Sequence, residues 1–298
     1  MQPVRTWRDA VFVIAFLFPA LALLGLFIVW PAIWAFAQSL TNRSLTGPAA
    51  LHPQFVGLEN YRRLLQDSEF HASLGKSVLF VLLSAIIGQT VAGFFIAYLM
   101  ARRPGWQLRF TPVFAAIFVL PLAAPETVAA LAWASLTTGT PEGLLNRALS
   151  LVGAGPVQWL QQYAFPVIIV VNIWRGITFA MVFFAAAIES LPTSALEAAM
   201  IDGATAGQRL FRIVIPMLRP QILIFLMLTT ITTFGIFGLV YFLTRGGPQN
   251  ATEIIGIYVY KRAFQYFDIG LGSAASVVLL CLLLVLGLYY VRLMKEQV

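Results

Sequence analysis

A few polar and ionisable side chains inside long apolar stretches are the groups of this chain that could do chemistry. Such groups are costly in a bilayer and usually face a cavity or a partner, so each marks a candidate binding position. They are Gln89, Glu126, Asn172, Arg175, Thr229, Thr230, Thr232 and Thr233, with the rings of Phe234, Phe237 and Tyr241 nearby. Hydroxyls, amides and aromatic faces together suit a neutral polyhydroxyl ligand, whose hydroxyls need hydrogen-bond partners.

Structural roles are open for several of these residues. Threonines can donate back to their own helix or pack between helices. Glu126 and Arg175 can form an ion pair with each other, or Arg175 can extend toward the membrane surface. With these alternatives open, the residues predicted to line a ligand path are Glu126, Asn172, Arg175, Thr229, Thr232, Thr233, Phe237 and Tyr241.

Catalytic motifs do not accompany these groups. The sequence has no Gly-x-x-x-x-Gly-Lys-Ser/Thr phosphate loop, no Gly-x-Ser-x-Gly and no His-Glu-x-x-His. Its two histidines, His52 and His71, lie alone in predicted loops, and its one cysteine, Cys281, allows no disulfide within the chain. We therefore predict no catalytic residue and no metal site, and we expect that this chain by itself does not hydrolyse a nucleotide.

Membrane-spanning helices are the elements that must position these groups. Of 298 residues, 60% are hydrophobic and 10% are charged, whereas a soluble domain carries about a quarter charged residues. About 20 apolar residues cross a bilayer as a helix, while barrel strands alternate over about ten residues. We predict an all-α integral membrane fold with six spans, near Ala10–Leu40, Ser77–Met100, Phe110–Leu136, Ala164–Ile188, Gln221–Leu243 and Leu271–Leu293.

The distribution of positive charge predicts the topology. Six spans place both termini on one side, and with the termini inside, the inner segments are richer in Lys and Arg than the outer ones. Both termini are therefore predicted to be cytoplasmic, and the net charge of +7 is assigned to topology and lipid headgroups, not to nucleic acid. We expect residues 1–76 to form the first span and first outer loop, and residues 77–298 a five-helix core.

The first span and the outer loops carry further local predictions. The N-terminal apolar run is about twice the length of a signal peptide's apolar region, so we predict a true span, bent at Pro19 or Pro31. In the first outer loop, Leu58, Tyr61, Leu64 and Leu65 recur at helical spacing, which predicts a short amphipathic helix. In the second outer loop, a short helix is predicted at Glu142–Leu151.

The loop between spans four and five, residues 189–220, is a polar island with helix signals. Ser194 and Glu197 have the spacing of a capping box, which predicts a helix that begins at Ala195. Gly203 follows Asp202 and predicts the left-handed residue that ends this helix.

The second half of the 189–220 loop predicts another short helix. Thr205 and Gln208 form a second capping box, and Pro216 and Pro220 are expected to end the helix before span five. The pair Ala198-Ala199 is small enough for another protein to approach closely. The 189–220 loop is therefore predicted to be a helical docking element, with a plain interfacial connector as the alternative.

The 189–220 loop resembles the signature of the membrane subunits of prokaryotic ABC importers, which is Glu-Ala-Ala, three residues, Gly, nine residues, Ile-x-Leu-Pro. Here it is Glu197-Ala198-Ala199, Gly203 and Ile213-Val214-Ile215-Pro216, with isoleucine in place of the leucine. The chain is also similar to the carbohydrate-uptake branch, and to the first of its two paired permeases (the maltose/glycerol-3-phosphate type). That similarity rests on residues 56–61, 172–176, 243–253 and 263–274.

The resemblance implies a multi-pass permease of the prokaryotic cytoplasmic (inner) membrane that takes a sugar, a polyol or a sugar-phosphate from an extracytoplasmic substrate-binding protein. It implies a second homologous permease and two ATPase subunits, which bind ATP and Mg and perform the hydrolysis, so this chain is not an enzyme and holds no cofactor itself. Glu197 would cap its helix and pair with a basic residue of the ATPase, and Gly203 would set the bend. The implied coupling residues are Glu197, Ala198, Ala199, Asp202, Gly203 and Pro216.

Two other classes of membrane protein are alternatives. An ion-driven secondary carrier would have inverted repeats and broken helices around a midplane ion site, and the sequence has no such symmetry and few titratable groups in its spans. An integral-membrane enzyme would need His, Asp or Glu clustered near an interface, and no such cluster is present in the sequence. Both alternatives are therefore weaker than the permease prediction.

Overall fold

The described part of the chain is helical. The computed structural model describes residues 7–100, 121 and 123–295, and of residues 7–10 the backbone alone. Within these ranges no extended strand forms, and two isolated bridges pair Thr41 with Phe55 and Ser44 with Asp268. The predicted all-α class is confirmed for these residues.

Helices of very different length follow one another along the chain. They are α1 (Trp7–Leu24), α2 (Trp30–Ser39), α3 (Pro48–Leu51), α4 (Glu59–Gln66), α5 (Ser68–Phe80), α6 (Thr90–Met100), α7 (Glu126–Leu136), α8 (Leu144–Ser150), α9 (Trp159–Gln162), α10 (Ala164–Glu189), α11 (Thr193–Ile201), α12 (Ala206–Arg209), α13 (Ile215–Met217), α14 (Arg219–Phe234), α15 (Gly238–Thr244), α16 (Ile255–Tyr260) and α17 (Ile269–Lys295). Turns of π-helix occupy Gly25–Val29, Val81–Gln89, Leu210–Val214 and Lys261–Gln265. The predicted short helix of the second outer loop is α8.

Long apolar helices correspond to four of the predicted spans. Within the described residues, the continuous helices that are long and apolar enough to cross a bilayer are Val11–Ser39, Ser68–Met100, Ala164–Glu189 and Ile269–Lys295. Two further helices, Ala206–Met217 and Arg219–Phe234, pass the same test together but are bent by 69°. The described residues thus contain four candidate spans, or five if the two helices of the bent pair are counted together as one span. The total of six stays a prediction, because residues 110–120 and 122 of the predicted third span lie outside the described residues.

The predicted fifth span, Gln221–Leu243, is wrong as a single helix. Helix α14 ends at Phe234, and α15 begins only at Gly238. Between them, Phe237 has φ −130° and ψ −57°, outside the helical region. Hydropathy concealed this break because it reflects side chains and carries no information about backbone dihedral angles. Two glycines, which are poor helix formers, flank the break.

The first predicted span is continuous in the structure. Pro19 lies inside α1, and Pro31 is the second residue of α2, which follows a π-helical turn directly. Between them the chain makes a π-helical turn at Gly25–Val29 and not a break. Extra turns of this kind insert a residue into the helix and occur often at functional sites.

Internal packing divides the chain into two compact units, residues 1–70 with 259–281 and residues 71–258 with 282–298. In the first unit, Nδ2 of Asn60 donates to the backbone oxygens of Ser39 (2.8 Å) and Thr41 (2.7 Å). These bonds attach α4 to the end of the first span. The predicted amphipathic helix is α4, but only part of its apolar face packs within the chain, because Leu64 is 1% exposed whereas Leu65 is 72% exposed.

The second unit is held by two buried apolar clusters. The first joins α7, α10 and α15, and its buried members are Phe80, Ala130, Val167, Ile168, Val171, Ile236, Leu239, Val240, Leu243, Ile254 and Ile257. The second joins the ends of α6, α10 and α14 to the 189–220 loop, and its buried members are Ala97, Ala180, Phe184, Ala187, Ile188, Leu191, Val214, Leu218 and Phe225.

Candidate functional site

A polar cavity of about 280 Å³ lies within the second unit. Its walls come from the second span, the start of α7, the middle of α10 and the end of α14. The lining residues are Gln89, Pro121, Glu126, Asn172, Arg175, Gly176, Phe179, Thr229, Thr232, Thr233, Gly235 and Ile236. The structure therefore brings together six of the eight residues predicted for a ligand path: Glu126, Asn172, Arg175, Thr229, Thr232 and Thr233.

Gln89 joins three membrane helices through its side-chain amide. Its Nε2 donates to the backbone oxygen of Asn172 on α10 (3.0 Å), and its Oε1 accepts from Oγ1 of Thr229 on α14 (2.8 Å). The residue is 5% exposed, so loss of either partner would leave a buried polar atom unsatisfied, at a cost of about 1–3 kcal/mol. A side chain at Gly176 would overlap this amide, so the glycine makes room for Gln89.

Asn172 is buried and bound to the second span. Its Nδ2 donates to Oγ of Ser84 (2.7 Å), and that hydroxyl donates to the backbone oxygen of Phe80 (2.6 Å). With 2% of its surface exposed, Asn172 borders the cavity mainly as a structural member of the wall. The chain of bonds fixes the orientation of α10 against the second span.

Glu126 and Arg175 form an ion pair at the cavity. Nη1 of Arg175 lies 3.3 Å from Oε1 of Glu126, and the two side chains are 33% and 31% exposed. Glu126 is the first residue of α7, after Pro125, and not a mid-helix residue as its place in the predicted third span suggested. A Cβ at Gly238 would lie 2.8 Å from Oε2 of Glu126, so this second glycine makes room for the carboxylate.

The threonines of α14 differ in burial and in the hydrogen bonds of their hydroxyl groups. Thr229 and Thr233 are buried, and the Thr229 hydroxyl is used by Gln89. Thr232 is exposed on the cavity wall, and its hydroxyl donates back to the backbone oxygen of Leu228 (2.9 Å). Back-bonding, the structural alternative for these residues, thus holds for Thr232 and not for Thr229.

The aromatic residues predicted for the path do not line the cavity. Phe237 and Tyr241 stack on each other with centroids 5.0 Å apart, and both pack against the first apolar cluster. The aromatic wall of the cavity comes from Phe179, one helical turn after Arg175 on α10. Phe179 could have been predicted because it lies four residues after Arg175, on the same face of a helix. Gln89 could have been predicted because it is an uncharged amide inside an apolar stretch.

The 189–220 loop forms the second candidate site. Helix α11 begins at Thr193 with Pro192 as its N-cap, and no side chain caps it. The predicted capping box of Ser194 and Glu197 is therefore wrong: the helix begins two residues before Ala195, so Ser194 lies in its first turn and not at the N-cap. Helix α12 has the predicted box of Thr205 and Gln208, with both bonds present.

Gly203 ends α11 as predicted. It has φ +76°, and the N–H of Ala204 donates to the oxygen of Ala199 (2.9 Å) while the N–H of Gly203 donates to that of Met200 (3.1 Å). This pair of bonds is the Schellman motif, which turns the chain sharply after a helix. Asp202 is exposed and occupies the C-cap position before the turn.

The other predicted coupling residues lie on different faces of the loop. Glu197 and Ala198 are exposed, whereas Ala199 is 9% exposed and faces inward. The expected small surface therefore consists of Ala198 without Ala199. Pro216 is exposed in the first turn of α13 and does not end the helical path, which bends after Met217 instead.

Known proteins similar to this chain are transport components. The family model described as "Binding-protein-dependent transport system inner membrane component" matches residues 89–295. The trehalose/maltose transport system permease protein MalF of Thermococcus litoralis is 33% identical over 96% of this chain and 94% of its own length. The sn-glycerol-3-phosphate transport system permease protein UgpA of Yersinia pseudotuberculosis is 31% identical over 94% of this chain and 93% of its own length.

Solved structures agree in fold. A chain of a bacterial ABC transporter involved in the import of the acidic polysaccharide alginate superposes with a TM-score of 0.80, at 22% identity, over 97% of this chain and 96% of that one. At that identity the likeness concerns the fold alone.

Proposed function

The chain belongs to the family of binding-protein-dependent transport system inner membrane components, and on that premise we propose that its polar cavity is the part of a solute path that this subunit supplies. The protein is a multi-pass inner-membrane permease subunit of an ABC importer, a transport component and not an enzyme. The comparisons give the alternative, an ion-driven secondary carrier, no support.

Convergence of uncharged hydrogen-bonding groups on one cavity is the observation that carries the proposal. Gln89, Asn172 and Thr229 lie on three membrane helices and are separated by up to 140 positions. Polar groups placed this way inside apolar helices are costly unless they serve packing or a ligand. Thr232 and the ion pair of Glu126 and Arg175 add exposed groups that a passing solute can contact.

The solute is proposed to be a sugar, a polyol or a sugar-phosphate. Relatives named for trehalose and maltose and for sn-glycerol-3-phosphate match over nearly the full chain at about the same identity. Hydroxyl-rich ligands of this kind suit a wall of amides, hydroxyls and one aromatic face, since each ligand hydroxyl both donates and accepts.

Energy coupling is proposed to pass through the 189–220 loop, with Glu197, Ala198, Asp202 and Gly203 on the face that meets an ATPase subunit. Ile201 and Phe211 are 87% and 70% exposed on the same loop, and apolar side chains exposed together often mark a protein interface. Within the described residues, Glu197 has no hydrogen-bond or ion-pair partner, so its carboxylate is available to a basic residue of the partner.

The buried anchors of the loop could transmit movement from the ATPase to the cavity. Leu191, Val214 and Leu218 are buried in the second apolar cluster together with residues of α10 and α14. The same two helices carry Arg175 and Thr229 into the polar cavity. Because packed interiors move as connected bodies, displacement of the loop would move both helices and open or close the cavity. Ala199 would act in this scheme as a packing residue, and Pro216 would act only through its place in α13, just before the bend that follows Met217.

The remaining parts of the assembly follow the pattern of ABC importers. An ABC importer works with partner permease and ATPase subunits; we infer here a second homologous permease, two ATPases that bind ATP and Mg, and a substrate-binding protein that docks on the outer loops. Six spans with both termini cytoplasmic, and a division into residues 1–76 and 77–298, remain proposals.

Co-purification and transport test the proposed function. Tagged chain isolated in mild detergent from its native membranes should bring a second permease and an ATPase with a phosphate-loop motif, identified by mass spectrometry. Glu126→Ala and Arg175→Ala should impair ATP-driven uptake of the ligand of the co-purified binding protein while the subunits still assemble. A fully active double variant would exclude both residues from the path, and a chain that purifies without any ATPase would contradict the importer assignment.

A further inference from the structure

One negative and one positive side chain line the described wall of the polar cavity. Among its described lining residues, Glu126 and Arg175 are the ionisable ones, and they face each other at 3.3 Å. The other polar lining groups are the amides of Gln89 and Asn172 and the threonine hydroxyls. The formal charges of these two residues cancel, so the described wall of the cavity offers hydrogen bonds to a solute without net charge.

Unused hydrogen-bonding capacity is concentrated in the ion pair. Both ends of the Gln89 amide and the Asn172 Nδ2 are committed within the protein. Arg175 and Glu126, by contrast, make within the described residues a single bond to each other, at 3.3 Å, which is longer than the 2.7–2.9 Å usual for charge-assisted bonds. A guanidinium has five donors, so one ligand hydroxyl can accept from Arg175 and donate to Glu126 at the same time.

For an anionic solute, attraction to Arg175 is opposed by repulsion from Glu126. The positive charge of Arg175 is offset by Glu126, and a phosphate or sulfonate that approached the guanidinium would also approach the carboxylate. Repulsion between the two anions cancels most of the attraction, and it acts more strongly in a partly desolvated site than in water. An uncharged hydroxyl has no such opposition.

We propose that the Glu126–Arg175 pair makes the path through this subunit selective for uncharged polyhydroxyl solutes and disfavours phosphorylated or sulfonated ones. The inference rests on the proposed function of the cavity as a solute path. It narrows the substrate class from sugars, polyols and sugar-phosphates to the uncharged members.

Thiol-modification rates in the complete transporter complex measure the charge of the cavity directly. Thr232→Cys, whose side chain is exposed on the cavity wall, is combined with Cys281→Ser, because Cys281 is exposed and would also react. The measured quantity is the rate with an anionic methanethiosulfonate (sulfonatoethyl) divided by the rate with a cationic one (trimethylammonioethyl), normalised to the same ratio for free 2-mercaptoethanol.

The ratio is expected to be near one for the chain with the pair intact. Glu126→Gln in that background should shift it by about tenfold toward the anionic reagent, and Arg175→Gln by a similar factor toward the cationic reagent. A matched control places the thiol at exposed Ser150 of α8, outside both the cavity lining and the proposed ATPase interface. In the complex without the binding protein, Glu126→Gln should leave the ratio at Ser150 unchanged. A ratio that already favours the anionic reagent tenfold with the pair intact, or that does not respond to Glu126→Gln, would overturn the proposal.

The solute itself supplies the second arm. The ligand released by denaturation from the co-purified binding protein, identified by mass spectrometry, should carry no phosphate, sulfonate or carboxylate group. A ligand with such a group would contradict the selectivity proposal and leave the importer assignment standing. If no ATPase or binding protein co-purifies, the importer assignment fails, while the modification ratios still decide whether the cavity is balanced in charge.

Discussion

The polar cavity and the 189–220 loop use polar residues in opposite ways. In the cavity, Gln89 and Asn172 are buried and take their partners from distant parts of the chain. In the loop, Thr205 and Gln208 are exposed and bond to each other across three positions. The charged groups differ in the same way, since Glu126 has an intramolecular partner and Glu197 has none within the described residues.

The difference separates two kinds of functional surface. A wall that must hold its shape while a solute passes needs its polar groups satisfied internally, because each unsatisfied buried group costs about 1–3 kcal/mol. A docking surface instead leaves groups exposed for a partner and depends on its buried anchors for position. Substitutions that disturb the cavity wall should therefore lower the stability of the complex, whereas substitutions at the proposed coupling residues of the loop should reduce ATPase coupling with little loss of stability. The following paired variants test that distinction.

Gly176→Ala is expected to have the largest effect. The new methyl group overlaps the Gln89 amide, so Gln89 must leave its bonds to α10 and α14, at a cost of about 2–4 kcal/mol. The melting temperature of the purified complex should fall, and uptake should fall by more than tenfold. Gly207→Ala in the loop, where the methyl group meets nothing within 4 Å, is the matched control and should change neither. Equal effects of the two variants would contradict the distinction.

The two glutamates should respond differently to conversion to glutamine. Glu126→Gln leaves Arg175 without its counter-charge in a half-buried site and should lower stability by about 1 kcal/mol. Glu197→Gln should change the melting temperature little, since an exposed position without partners tolerates substitution within about 0.5 kcal/mol. ATPase activity stimulated by the binding protein should nevertheless fall several-fold in Glu197→Gln. Full stimulation in that variant would remove Glu197 from the proposed interface.

Substitutions at Gly203 should affect coupling through the backbone. Open space surrounds the position, so the cost comes from φ +76° alone, about 1 kcal/mol for alanine and less for asparagine, which tolerates left-handed geometry. Gly203→Ala should reduce stimulated ATPase activity more than Gly203→Asn, with the complex still assembled. If asparagine impaired coupling as much as alanine, the left-handed turn would not be the reason for the glycine.

The smallest expected effect concerns the two candidate caps of the loop. Thr205→Ala removes an observed cap and should weaken α12 by about 0.5–1 kcal/mol, whereas Ser194→Ala removes a hydroxyl that caps nothing in the structure. Hydrogen–deuterium exchange followed by mass spectrometry should show faster exchange over residues 206–209 in Thr205→Ala alone. Faster exchange over α11 in Ser194→Ala would restore the capping box that the sequence predicted.

Local signals in the sequence were largely sufficient for the loop. The Gly203 turn and the Thr205–Gln208 box depend on residues within a turn or two of each other, so their spacing alone predicts them. The exception is the start of α11, which lies two residues before the start that the spacing of Ser194 and Glu197 predicted. For the cavity, the sequence identified polar groups in apolar helices but not which of them meet.

Sequence alone determined the helical membrane class, four of the spans, the local turns of the 189–220 loop and the presence of costly polar groups in apolar helices. Tertiary structure alone decided that Gln89 belongs with Asn172 and Thr229, 83 and 140 positions away, and that Phe179 replaces Phe237 and Tyr241 at the cavity. It also decided that Gly176 and Gly238 make room for polar side chains of other elements. The physical reason is range: caps and turns depend on neighbours along the chain, whereas a cavity depends on how helices pack, which single-sequence spacing does not encode.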